Sequence, residues 1–253
     1  MKLYEICFSP TGGTKKAADI LCDALDKESR FVDLTDSGQD FSALVPEEDA
    51  LAVIAVPSYG GRVPAVAVQR LSRIRAKGAK GILMCVYGNR AYEDTLVELQ
   101  DAAEQAGFRV VGAVAAVAEH SIARQFAAGR PDEQDREQLC RFAEEIRAKL
   151  DRGDMSVPQI PGNRPYKKSG SAGMVPKPTK DCVDCGVCAE KCPVQAIDAR
   201  DPKKVDAKAC ISCMRCVQVC PHDARKVNPV MMAAVNAMLK KVCSQRKKCE
   251  LYL

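Results

Sequence analysis

Cysteine is the residue with the most chemistry to offer in this chain, and it is unevenly placed. Eight of the fourteen cysteines stand in two runs, CVDCGVCAEKCP from Cys182 to Pro193 and CISCMRCVQVCP from Cys210 to Pro221, each spaced C-x2-C-x2-C-x3-C-P. Such clustering points to metal ligands. A disulfide framework belongs to secreted and usually shorter chains. Residues 1–8 carry one lysine and an apolar run broken by Glu5, too short for a signal peptide, and no apolar stretch approaches a membrane span. The expected setting is a reducing cytoplasm. Structural zinc draws four ligands from separated cysteine pairs, which gives no reason for a tripled C-x2-C-x2-C with a trailing Cys-Pro, twice over. A dithiol redox pair needs one C-x-x-C and leaves the others unexplained.

The repeat resembles the two-cluster bacterial ferredoxins, with all eight ligands matched. That resemblance implies two 4Fe–4S clusters that exchange a ligand: Cys182, Cys185, Cys188 and Cys220 on one, Cys210, Cys213, Cys216 and Cys192 on the other. Pro193 and Pro221 turn the chain away after the fourth ligand of each run. The copies differ at one place. CPVQAI, Cys192 to Ile197, ends on an apolar residue, whereas CPHDAR puts Arg225 there, a charge expected close to the cluster of Cys210, Cys213 and Cys216.

Three loops near the N-terminus carry a second chemistry. SPTGGT, Ser9 to Thr14, combines glycines that let the backbone approach an anion with hydroxyls and a following helix start, which makes a phosphate cradle. Its spacing is neither that of a Walker A loop nor that of a dinucleotide fingerprint. PSYGGRVP, from Pro57 to Pro64, and YGNR, from Tyr87 to Arg90, each set an aromatic beside glycine, as a flat ring system requires. Together the loops resemble the flavodoxin family. The resemblance implies FMN, with its phosphate on Ser9, Thr11, Gly12, Gly13 and Thr14 and its isoalloxazine lined by Ser58, Tyr59, Gly60, Tyr87, Gly88 and Asn89. The whole chain resembles flavodoxin–ferredoxin fusion proteins, which implies redox partner proteins.

These loops need a scaffold, and the first 150 residues supply its pattern. Apolar runs at residues 2–8, 30–34, 51–56, 81–86 and 109–117 alternate with helical segments at 14–27, 64–77, 91–106 and 131–150. This predicts an α/β fold, a flavodoxin-like doubly wound five-stranded parallel sheet, which binds ligands at the carboxyl ends of its strands. The expected organisation is a flavodoxin-like FMN-binding domain over 1–152 and a linker rich in proline and glycine over 153–178. A small α+β two-cluster ferredoxin domain over 179–228 and a helix with a basic tail over 229–253 would follow. In that helix Met231, Val235, Met238 and Val242 predict the docking stripe, and KKVCSQRKK reads as a solvated end or a patch for an acidic partner.

The formal charge of +5 is mildly basic. It falls to about −1 once two clusters and a flavin phosphate are counted, so no nucleic-acid partner is expected. Cys7, Cys22, Cys85 and Cys140 read as small core residues, and Cys243 and Cys249 as thiols that nearby lysines could activate. His120 is a candidate proton donor at a flavin edge, and His222 reads as solvated surface. No acid/base pair or nucleophile marks a catalytic residue. The expected function is electron transfer, matching a two-electron flavin to one-electron clusters. A flavin-dependent reductase using Tyr59, Arg62 and His120 is the alternative, and a redox-sensing module is the third.

Overall fold

The computed structural model describes residues 2–26, 28–168, 170 and 173–253. Lys27, the expected end of the first helix, lies outside the described residues, as do positions 169, 171 and 172 of the expected linker. The first half of the chain runs β1 (Leu3–Cys7), α1 (Gly13–Leu25), β2 (Ser29–Asp33), β3 (Leu51–Pro57), α2 (Ala65–Leu71), β4 (Lys80–Tyr87), α3 (Thr95–Gln105), β5 (Arg109–Val117) and α4 (Glu133–Asp151). The strands pair in parallel in the order β2-β1-β3-β4-β5, which is the flavodoxin-like order, with its switch point between β1 and β3. Because helices cover both faces, β1, β3 and β4 are near-continuous buried runs. One core packs Ala67, Leu71, Leu96 and Leu99 of α2 and α3 on the sheet. The other packs Ala17, Ala18 and Leu21 of α1 with Leu139, Ala143 and Ile146 of α4.

The sheet has a sixth strand that the basic tail concealed. After β6 (Lys177–Pro178), α5 (Val187–Glu190), α6 (Arg215–Gln218), β7 (Arg225–Lys226) and α7 (Pro229–Cys243), the chain ends in β8 (Glu250–Tyr252), antiparallel to β5. The tail is therefore not a solvated end. Arg246 pairs with Asp132 at 2.7 Å, Lys247 donates its amide to Asn89 Oδ1 at 3.1 Å, and the Tyr92 hydroxyl meets that of Tyr252 at 2.7 Å. Cys249 and Leu251 join the core under α1 and α4. Burial pushes the Cys249 thiol up to about 11 and raises that of Cys243, the opposite of activation by lysine.

The expected linker is a strap bound to α3. Asp94 accepts from the amides of Asn163 and Lys167 at 2.9 and 2.7 Å, and Arg164 forks onto Asp101. Helix α7 docks, but of the expected stripe only Val235 joins the contact: Leu239 and Cys243, with Met232 and Val235, pack on Ala123 and Phe126. Met231 and Val242 face outward, and Met238 is 60% exposed. The Asn89 amide holds the carbonyls of Cys243 and Gln245 at 2.8 Å each, which fixes the C-terminal end of the helix.

Glu5 is the one charge inside the central strand β1, 2% exposed, with Lys15 Nζ at 3.5 Å. Burial, then the nearby Asp19 charge, raise its pKa to about 7. A folded pKa above the unfolded one means that this group favours folding most at low pH, and that the benefit is lost as pH rises through about 7. Glu5→Gln is expected to stabilise the fold by about 1–3 kcal/mol at pH 8 and to have little effect near pH 4.5. Thermal unfolding of both proteins across that range measures it; an equal effect at the two pH values would remove the titration argument.

Candidate functional site

The cysteine runs fold as two copies of one conformation. Left-handed residues recur at matching places, Asp184 with Ser212, Gly186 with Met214, and Gln195 with Asp223. Gly186 and Met214 cap the short helices α5 and α6, and the Ala196 and Ala224 amides donate to Cys192 Sγ and Cys220 Sγ, both at 3.3 Å. Two concavities result. One is lined by Cys182, Cys185, Cys188 and Cys220, the other by Cys192, Cys210, Cys213 and Cys216. Each draws three cysteines from one run and the fourth from the other. Among the described residues no group of three or more His, Cys, Asp or Glu converges on a single metal ion.

Both sets fit a cubane in donor type and number. Burial pushes the thiols of Cys213 and Cys216 up to about 12, so free thiolates are disfavoured there and iron would be needed to hold them ionised. The first concavity is the outer one: Cys185 and His222 are exposed and Val183 is 60% exposed. The second is the inner one. Arg215, on its rim, donates to the Pro10 carbonyl at 3.0 Å, and Arg70 reaches Pro193 O at 2.6 Å, tying the cysteine unit to the loops of the sheet. Arg225 does not serve the site expected. It is buried against the outer one, with Nη2 3.1 Å from Cys188 Sγ.

At the carboxyl ends of β1, β3, β4 and β5 lies a cavity of about 460 Å³, within the ~300–1,000 Å³ typical of small-molecule and cofactor sites. Thr11, Gly13, Thr14, Ser58, Tyr59, Gly60, Tyr87 and Gly88 line it. Gly12 heads α1 at φ 89° beside an adjoining hollow of about 220 Å³ that also takes in Lys16 and Arg124. The turn after β3 closes through Tyr59 and Arg62, which exchange backbone hydrogen bonds at 3.0 and 3.2 Å across Gly60 and Gly61, both at positive φ. Glycine suits the second position, since φ there is +84° and a Cβ would also lie 2.8 Å from Glu93 Cβ.

Two predicted positions are occupied otherwise. Ser9 Oγ accepts from the Lys15 amide at 2.9 Å, so this hydroxyl shapes the loop rather than lining the cavity. Asn89 is buried and committed to α7 and Lys247, and does not line the cavity. Arg62, placed in the reductase reading, instead forks onto Glu98 at 2.7 Å. His120 does line the cavity. Its Nδ1 accepts from the Ile122 and Ala123 amides at 3.2 and 3.1 Å, which favours the ring proton on Nε2, and burial with the Arg90 charge lowers its pKa.

Sequence reasoning missed the roof. Met174 of the strap, Ile211 and Ser212 of the second cysteine run, and Val235, Met238 and Leu239 of α7 all line this cavity. Met174 and the α7 residues signalled only apolar character in a linker and a helix, and Ile211 and Ser212 only their place between two ligand cysteines, which does not say what they cover. The Ser212 hydroxyl accepts from the Met174 amide at 3.1 Å, joining strap to cysteine run.

Residues 181–224 match the family described as 4Fe-4S dicluster domain. No curated protein matches the chain. Similar solved structures include a flavodoxin of Streptococcus pneumonia TIGR4, 23% identical over 58% of this chain and 99% of that one, with a TM-score of 0.40. Oxidised Flavodoxin 1 from Bacillus cereus is 17% identical over 58% and 98% of the two chains, TM-score 0.41. A Fusobacterium nucleatum flavodoxin bound to flavin mononucleotide is 16% identical over 60% and 99%, TM-score 0.40. The strand order carries the fold assignment. The chain thus joins a flavodoxin-like α/β unit to a segment that matches a 4Fe–4S dicluster domain. The dicluster unit implies two 4Fe–4S clusters.

The crossed ligand sets make a direct prediction. Replacing Cys192 and Cys213 together by serine damages one site, leaving about four irons per chain, whereas replacing Cys192 and Cys185 damages both. Iron content after anaerobic reconstitution decides; the reverse pattern would mean that each run fills its own site.

Proposed function

We propose that this protein is an electron carrier that binds FMN in the large cavity and sets it in series with the inner and outer cysteine sites. The observation that carries this is continuity. Ile211 and Ser212 lie between the inner ligands Cys210 and Cys213 and also line the cavity. Burial, and secondarily Cys213, raise the phenol of Tyr59 in the turn after β3 well above its ordinary value. The cavity and the inner site share a wall of single side chains.

Bound FMN would supply two-electron storage with single-electron release, and the clusters would pass one electron at a time. The chain's own residues do the rest. Thr11, Gly13 and Thr14 at the head of α1 offer hydroxyls and helix-end amides to a phosphate, with Gly12 and Lys16 in the adjoining hollow. Tyr59, Gly60, Tyr87 and Gly88 offer ring faces and close backbone to an isoalloxazine. The apolar roof of Met174, Val235 and Leu239 would shield it from water. At the other end the exposed Cys185 and Val183 surface is where a redox partner protein of the cytoplasm would receive or deliver the electron.

Anaerobic purification followed by iron, sulfide and flavin quantitation should give about eight irons and one FMN per chain. Eight irons without flavin would reject the FMN reading while leaving the dicluster unit intact. A Cβ on Gly88 would lie 2.6 Å from the His120 ring. Gly88→Ala should therefore push that ring into the cavity and weaken FMN binding at least tenfold, about 1.4 kcal/mol, at unchanged iron content, as read by flavin fluorescence on release.

A further inference from the structure

The two cysteine sites are nearly symmetric, and the departure from symmetry is a charge. Each has four cysteines, and each has one amide donating to the sulfur of its exchanged ligand at the same 3.3 Å, Ala196 to Cys192 and Ala224 to Cys220. These two bonds cancel in a comparison of the sites; the backbone amides of Ser212 and Arg215 also reach Cys210 and Cys213 of the inner site. At the next position in each copy the sites diverge. Ile197 packs apolar surface against the inner concavity, whereas Arg225 lines the outer one.

Arg225 is 2% exposed, one of the largest fully buried side chains in the protein. Its Nη2 is 3.1 Å from Cys188 Sγ and also donates to the Pro202 carbonyl, and Nη1 lies 3.4 Å from the Pro176 carbonyl. No carboxylate pairs with it among the described hydrogen bonds and ion pairs, and Nε has no partner. A buried cation without a counter-ion is costly, so its surroundings must carry negative charge for it to be retained. Four thiolates on a cluster supply that charge.

Other charges near the sites do not restore the balance. Asp184 Oδ1 is 3.5 Å from Cys182 Sγ, but this carboxylate is exposed and paired with Lys203 at 2.9 Å. Arg215 lines the inner site and its Nε too is buried without a partner, but the side chain is half-exposed, its Nη1 goes to the Pro10 carbonyl, and no hydrogen bond runs from its guanidinium to a ligand sulfur. The Arg225 charge also reaches Cys210 and Cys216 of the inner site across the gap, without a hydrogen bond to either. Its direct N–H to sulfur bond goes to the outer ligand alone.

We infer that Arg225 is a positioning residue for electron flow: by hydrogen bonding Cys188 from a buried, unpaired guanidinium, it raises the reduction potential of the outer site above that of the inner one. A hydrogen bond and a positive charge at a ligand sulfur both favour the more negative, reduced form of a cluster. An electron lost by the inner site is then gained by the outer one downhill, toward the exposed Cys185 surface. This deepens the relay proposed above and rests on it.

The test is potentiometric titration of the holoprotein followed by electron paramagnetic resonance, with Cys185→Ser identifying the outer signal. In Arg225→Ile, which copies Ile197, the reduced outer site should fall at least tenfold relative to the inner, about 59 mV for one electron. Arg225→Lys should lose less than Arg225→Gln, and this pair decides the matter should the isoleucine variant fail to hold eight irons. Equal shifts at both sites, a shift at the inner site alone, or unchanged separation at full iron content would each overturn the assignment. Wild-type protein lacking a second cluster would instead refute the relay itself.

Discussion

Each cysteine site is incomplete without the other run. Cys220 closes the site begun by Cys182, Cys185 and Cys188, and Cys192 closes the site begun by Cys210, Cys213 and Cys216. This exchange forces the two halves of the repeat to fold around each other, and the matched left-handed residues at 184 and 212, 186 and 214, 195 and 223 show how alike the halves are. A unit of this size has little hydrophobic core of its own, as the small cluster around Ala196 and Ile197 indicates. Metal ligation is the staple that compensates.

The position of that unit follows from a few polar ties and one apolar lid. Arg70 and Arg215 bridge backbone carbonyls between the sheet loops and the cysteine loops, and Met174 and Ser212 join the strap to the second run. Helix α7 then lies over Ala123 and Phe126, and β8 pairs with β5 to lock the end of the chain. The carboxyl edge of the sheet, where a doubly wound fold binds its ligand, thereby acquires a roof made from the distal part of the chain.

Much of this was legible in the residues. Strands β1, β3, β4 and β5 are nearly continuous apolar runs because both their faces are covered, and the SPTGGT loop and the glycine turns stand at their ends. Asn89 misled for an intelligible reason: a polar residue in an aromatic-glycine loop suits a ligand edge, but here a buried carbonyl pair at the end of α7 takes its amide. The stripe on α7 misled because the helix is apolar on more than one side, and only the partner surface at Ala123 and Phe126 selects residues 232, 235, 239 and 243. Strand β8 is three residues long and follows a run of lysines and arginine, too short for an alternating pattern to show.

Spacing along the chain determined the ligand types, their number and the alternation of strands and helices, because these depend on local chemistry and on periods of two and 3.6 residues. The tertiary structure decided what no period encodes. It placed Ile211 and Ser212 against both the cavity and the inner site, and it carried Arg225 to Cys188 of the outer site although their positions in the sequence suggested the other. Contacts between residues far apart in sequence depend on how the elements dock, and a buried guanidinium goes where docking leaves it acceptors and negative charge.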